Sequence, residues 1–501
     1  MSVRPVKSLL VRTIAFAIVL RAGYNGCKTD RVRGNTDLAL KRTSVGLCCA
    51  VMALIWLLSG VLSLTALGQS RAASASDERV RALLAVASSG EMSTVNHKYV
   101  GPGSCSAVAC HGGIQPRMST KVLQNEYSTW VSQDKHARGY AVLTEPLGRQ
   151  MSSILKIGPA EKAQRCLVCH ALSEPKEDKA RDFDASEGVS CESCHGPASA
   201  WLGPHIQASA QHADMVKLGL IDNKSLTVRS EECLSCHLGS ARKDMQVDHE
   251  MIAAGHPDLT FELDSFTAVE PPHWVEKSKD PLFGMRAWGV GQAVQLRESM
   301  LRVARRAQSG PWPEFSEMDC ITCHHSLTGP ESWRQKEGYE GHRAGDPPYN
   351  ISRFIVFRHF AQEIDPTGDQ ELGRQVGQVA ALVTSMSPDR GAVESAAKRA
   401  ATTANKLLEE VRDAQYDQVR SERLLKAIAN DADAISRQGE RAAEQATMSV
   451  DSLYIADMKA GAPNPATRSA IDQLFAQVKN PSGYNAPMFA AQMKKVAATL
   501  R

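Results

Sequence analysis

Five places in this chain set two cysteines directly ahead of a histidine. Four have the form Cys-x-x-Cys-His: Cys166/Cys169/His170, Cys191/Cys194/His195, Cys233/Cys236/His237 and Cys320/Cys323/His324. The fifth, Cys105-Ser-Ala-Val-Ala-Cys110-His111, has four residues between its cysteines instead of two. Paired thiols at this spacing add to the vinyl groups of haem, and the adjoining imidazole ligates the iron from one side, so each motif predicts one covalent haem c, five in all. The chain has 13 cysteines; Cys27, Cys48 and Cys49 lie near its start, and the other 10 fall into the five pairs with none left over. Zinc knuckles and thioredoxin-like pairs also use Cys-x-x-Cys, but neither places a histidine after every second cysteine. In the wider first motif a five-residue step does not put both sulfurs on one helical face, so the loop must bulge. Gly112 and Gly113 permit that bulge.

An iron held by two imidazoles only exchanges electrons, whereas one with an empty sixth position also binds small molecules. Ten histidines outside the motifs are available for the far side: His97, His136, His205, His212, His249, His256, His273, His325, His342 and His359. About four of them are expected to be ligands.

The elements that position these residues follow from pattern and composition. Residues 46–67 form an uncharged apolar run, preceded by Lys41 and Arg42 and followed by Ala73-Ser-Ala75. That is an export leader, or, at about 20 residues, a retained membrane anchor. Either places the haem region outside the cytoplasm, in the periplasm. Residues 1–75 hold 10 Lys/Arg and 2 Asp/Glu, leaving 48 basic and 53 acidic side chains in the remainder, a net of −5 against +3 for the whole chain. The basic character therefore belongs to the leader. No nucleic-acid partner is indicated, and redox partner proteins with basic patches are.

A linker over 76–95 leads into a haem-bearing region over 96–355, rich in Gly, Pro and His interruptions, which needs little hydrophobic core because the porphyrins supply apolar surface. Helices are still readable at 120–143 and 290–308. Beyond 356 the character changes. No cysteine follows Cys323 and no histidine follows His359, and Leu407, Leu408, Val411, Val419, Leu424, Leu425 and Ile428 fall at helical spacing. A mainly α fold is expected: a multihaem cytochrome c core with little regular sheet, then a long-helix region over 356–501 that packs on itself or forms a homo-oligomer.

The motif order, with Glu187-Gly-Val-Ser-Cys-Glu-Ser-Cys-His-Gly-Pro197 and Trp130-Val-Ser-Gln-Asp-Lys-His136, resembles the tetrahaem cytochrome c-554 family over roughly residues 98–240. Members of that family accept electrons from hydroxylamine oxidoreductase in ammonia oxidisers. Carried over by position, the resemblance makes His111, His170, His195 and His237 the proximal ligands of haems one to four. It gives haem one His205 as its distal ligand and haem three His136, and it leaves the iron of His170 open. For haem four no position aligns, and the stretch Asp248–Pro257 offers His249 or His256. The wider first motif, the fifth haem at His324 and the C-terminal helices depart from the family, so its physiological partner is not inherited.

Two functions compete. One is a periplasmic carrier that moves single electrons along packed, mostly bis-histidine haems. The other is a haem oxidoreductase acting on a small nitrogen or sulfur species, such as nitrite, hydroxylamine or nitric oxide, at the open haem of His170. No Cys-x-x-Cys-Lys occurs, as pentahaem nitrite reductases carry at their catalytic haem, and five motifs fall short of the eight of hydroxylamine-oxidising enzymes. The carrier is favoured.

Overall fold

The computed structural model describes residues 97–119, 122–174, 178–180, 183–241, 245–274, 280–320, 323–324, 347–385, 387–460 and 464–500. The leader, its apolar run at 46–67 and the linker at 76–95 lie outside these residues, as do His325 and His342. The described residues are mostly helical with no strand, and two isolated bridges, Tyr99 to Lys179 and Met318 to Tyr349, are their only β pairing. None of their helices is long and apolar enough to cross a membrane.

The helices that position the motifs are α1 (Glu126–Gln133), α2 (Pro146–Leu155), α3 (Gln164–His170), α4 (Cys191–His195), α5 (Leu226–His237), α6 (His249–Ala254) and α7 (Phe283–Gln308). The C-terminal region adds α8 (Pro366–Thr384), α9 (Arg390–Asp413), α10 (Gln418–Asn430), α11 (Glu440–Ala460), α12 (Pro465–Val478) and α13 (Ala486–Thr499).

Before α5 the chain is a series of short helices and turns, and its own apolar core is small, built on Ala198, Trp201 and Met215. Polar positions break every longer run, so local caps define the structure. Asp134, for example, accepts a hydrogen bond from the backbone N–H of His136 at 2.9 Å and so starts the 3-10 turn Lys135–Arg138.

The main core begins at Leu234 and runs to Val496 without stopping near 356. Its axis is α7, buried on nearly every side. A helix covered all round has no single apolar stripe, which is why its periodicity reads weakly. Helix α9 lies along it. Asp389 caps α9 by accepting from the N–H groups of Gly391 and Ala392, and Ala396, Ala397, Ala400, Ala401 and Ala404 make a smooth buried face that lets the two helices pack closely. The C-terminal helices therefore share one core with the end of the haem-bearing stretch. Leu407, Leu408, Val411, Leu424, Leu425 and Ile428 are buried as their spacing predicts, but Val419 is 62% exposed. The helix stops at Asp413 and restarts at Gln418, which resets the phase and turns Val419 outward.

Candidate haem-binding site

Three motifs occupy helix ends. Helices α3, α4 and α5 each finish on a motif histidine, so the two cysteines, three residues apart, share a face and the imidazole follows at the tip. Cys320 closes one helical turn, its carbonyl accepting from the N–H of His324 at 2.8 Å. The wider first motif is bulged. The N–H of His111 donates to the Cys105 carbonyl at 3.2 Å, and a side chain on Gly112 would come within 1.8 Å of the Ser106 carbonyl oxygen, so only glycine fits there.

Four of the five motif histidines face a second histidine from elsewhere in the chain. The ring centres are 6.3 Å apart for His111 and His205, 6.3 Å for His170 and His256, 6.2 Å for His237 and His136, and 6.3 Å for His324 and His249. Two imidazoles on opposite faces of one metal, each nitrogen about 2.0 Å from it and each ring centre about 1.1 Å further, have centres about 6.2 Å apart. Ring-to-ring contact alone does not explain the uniformity. The interplanar angles run from 12° to 88° while the separation holds constant. Direct packing would vary the distance with the angle, whereas axial ligation fixes the distance and leaves each ring free to rotate. The side chains therefore fit haem iron.

The outer nitrogens agree. Nδ1 of His170 donates to the Gly139 carbonyl at 2.9 Å, Nδ1 of His256 to the Pro257 carbonyl at 2.7 Å, and Nδ1 of His205 to the Leu202 carbonyl. Carboxylates take the same role at His111, whose Nδ1 is 2.9 Å from Glu126 Oε2, and at His136, whose Nδ1 is 3.0 Å from Asp134 Oδ1. In each case Nε2 keeps its lone pair for a metal. By contrast His212 and His359 use Nε2 on Asp222 and Asp431, at 2.8 and 3.0 Å.

Protonation divides the ligands into two groups. Burial pushes the His195 and His237 imidazoles down to about 4 and lowers His170 as well, so these rings stay neutral, as a ligand must. Hydrogen bonding to Glu126 raises His111, and hydrogen bonding to Asp134 raises His136.

The ring pairing differs from the resemblance at the second and third motifs, and from the expectation of His249 or His256 at the fourth. His205 does face His111. His136, however, faces His237 rather than His195: Asp134 fixes its turn so that the ring meets the end of α5. His256 stands opposite His170, where the resemblance implies no ligand. His249 turns to His324 and not to the fourth motif. Helix α6 explains the last two, since His249 opens it and His256 follows it after Gly255. His273 was one of ten histidines with nothing in the sequence to single it out; it lies with Asp134 and Glu270, their ligating atoms within 4.8 Å of one another.

Residues around the motifs are held just as specifically. Buried Glu192, between the third pair of cysteines, accepts from the N–H groups of Gly101 and Ala198, both at 2.7 Å, and of Val100 at 3.0 Å. Trp130 Nε1 donates to the Val189 carbonyl at 3.1 Å. Gly188, at φ 78°, lies where a side chain would strike the carbonyls of Ala137 and His136 at 2.8 and 2.9 Å. From α7, Arg302 grips both oxygens of buried Glu317 at 2.8 Å and donates to the Leu238 carbonyl, while Arg306 reaches Glu317 at 2.6 Å and the Val247 carbonyl at 3.0 Å. One helix thus ties down the chain beside His237, ahead of His249 and ahead of Cys320. Burial alone would raise the Glu317 carboxyl; the two guanidinium groups outweigh it and hold it at about 2.

Neither the curated proteins nor the solved structures gave a match to this chain. Residues 105–196 match the family described as cytochrome c554 and c-prime. The matched stretch contains the first three motifs and His136, but not His205, His237, His256 or the fifth motif. Residues 105–196 are thus similar to a family of c-type cytochromes, whose members hold haem c covalently.

Proposed function

We propose that the protein is an exported electron carrier of the multihaem c type, with five covalent haems. His111 and His205, His170 and His256, His237 and His136, and His324 and His249 would hold four irons between paired imidazoles; His195 would hold the fifth from the proximal side. Cys105, Cys110, Cys166, Cys169, Cys191, Cys194, Cys233, Cys236, Cys320 and Cys323 would supply the thioethers. The bound haems supply reversible one-electron chemistry. The protein's own residues fix His111, His136, His170, His205 and His256 by Nδ1 hydrogen bonds, exclude water with rings such as Phe261 and Phe266 against His237 and Phe315 against His249, and hold the chain ahead of the fifth motif through the ion pairs of Glu317 with Arg302 and Arg306. A rigid, low-polarity surround changes little on reduction, which suits electron transfer rather than substrate turnover.

The observation that carries this reading is His256 opposite His170. It would fill the position on which the oxidoreductase alternative depended. The test is to mix reduced holoprotein with carbon monoxide and, separately, with an oxidised small redox protein. Rapid electron exchange with no carbon monoxide adduct at the haem of Cys166 and Cys169 is expected; a stoichiometric adduct at that haem in the unmodified protein would overturn the carrier reading.

A further inference from the structure

Asp134, Glu270 and His273 meet outside the four ring pairs. Their ligating atoms all lie within 4.8 Å of one another, although Asp134 comes from a distant part of the chain. Backbone structure sets each of them. Asp134 follows α1 and is only 6% exposed. Glu270 ends the helix Leu263–Val269, and Pro271 and Pro272 then make a stiff turn that presents His273. Nδ1 of His273 is 3.2 Å from the Pro271 carbonyl, and Trp274 packs edge-on against the ring with the centres 4.8 Å apart. With a proton on that carbonyl, the ring keeps its other nitrogen's lone pair for a metal.

The three side chains do not bond to one another. Asp134 uses only Oδ1 on His136, accepting from the backbone N–H at 2.9 Å and lying 3.0 Å from Nδ1, so Oδ2 is left for a second role. Among the described residues the Glu270 carboxylate takes part in no hydrogen bond or ion pair. Two carboxylates this close repel each other unless a cation lies between them. A divalent first-row ion sits about 2.0–2.2 Å from such ligands, which then stand about 3–4 Å apart, close to the spacing of this trio. One imidazole and two carboxylates suit zinc and its neighbours, whereas calcium takes about six to eight oxygens.

We propose that Asp134, Glu270 and His273 bind a divalent first-row metal ion, and that Asp134 couples it to His136. A cation on Oδ2 draws charge away from Oδ1, weakens its hold on Nδ1 of His136 and makes that imidazole a poorer donor to ferric iron. The metal site stands on the trio alone. The coupling rests on the proposed ligation of one iron by His136 and His237.

The experiment dialyses the holoprotein against a chelator and titrates it with zinc alone, beside the variants Glu270→Gln and His273→Ala. Bound zinc, haem content and midpoint potentials are read for each. The unmodified chain should take up one zinc that excess calcium does not displace, and each variant should bind it about tenfold more weakly or worse with its haem content unchanged. Zinc should also raise one midpoint potential in the unmodified chain and, at the same concentration, in neither variant. Undiminished zinc affinity in both variants, or ready displacement by calcium, would overturn the site. Zinc bound at the trio with every potential unmoved would overturn the coupling. Zinc and haem are counted separately, so failure of this site and failure of the five-haem reading are told apart.

Discussion

The imidazole of His256 faces that of His170 across 6.3 Å, with the ring planes 86° apart and each Nδ1 held by a backbone carbonyl. Neither ring can swing away without breaking its hydrogen bond, so an iron between them would be held on both sides by anchored side chains. Replacing His256 with Ala should convert one low-spin iron to high-spin and create a carbon monoxide site in the reduced protein, with covalent haem content unchanged. Optical titration with the gas checks it, and a variant that still fails to bind would show that something other than His256 closes the site.

Haem content tests the motifs one by one. The intact protein should give five haems per chain by pyridine haemochrome assay, and Cys320→Ser with Cys323→Ser should give four. The same pair of changes at Cys105 and Cys110 should also remove one, since the Gly112 bulge brings the first motif to the same purpose. Five haems remaining after the latter change would exclude the wider spacing as an attachment site.

Glu126 accepts from Nδ1 of His111 and is itself held by the N–H groups of Leu123 and Gln124 at 2.7 and 3.1 Å. A carboxylate there makes the imidazole a stronger donor and favours ferric iron. Glu126→Gln should keep the shape and raise one midpoint potential by on the order of 60 mV, a tenfold change in a one-electron equilibrium. Spectroelectrochemical titration reads it; a downward shift would mean that the carboxylate does not govern this iron.

Glu317 sets a pH window. Its pKa is about 2 in the folded chain and about 4.3 when unfolded, so the stabilisation is complete above about 4.3 and is lost as pH falls toward 2. The size is on the order of 3 kcal/mol. Glu317→Gln should abolish the acid dependence in that window and, by leaving Arg302 and Arg306 buried without their partner, cost about 3–5 kcal/mol at neutral pH. Circular dichroism melts between pH 2 and 7 provide the measure. Parallel curves for the two proteins would remove Glu317 as the responsible group.

Much of the site was legible because haem attachment is a local covalent pattern: every motif cysteine and histidine could be read from spacing alone. The far-side ligands were not, because they depend on which turns meet in space. His205 could be placed only through the family resemblance, and its ring does face His111. His136 could not, since Asp134 directs it toward α5 from more than 100 residues away in sequence. In the C-terminal region the helical class was clear from composition, while the outward turn of Val419 depended on a four-residue break between α9 and α10 that apolar spacing does not reveal.

Helix α6 works as a molecular ruler. His249 at its start and His256 just beyond its end face two different motif histidines, His324 and His170, so the number of residues between them sets the separation and relative azimuth of both rings at once. Inserting or deleting one residue would rotate everything after it by about 100° and shift it by about 1.5 Å along the axis. No such change can keep both rings facing their partners. The segment is therefore open to substitution along its outer face, yet closed to any change in length.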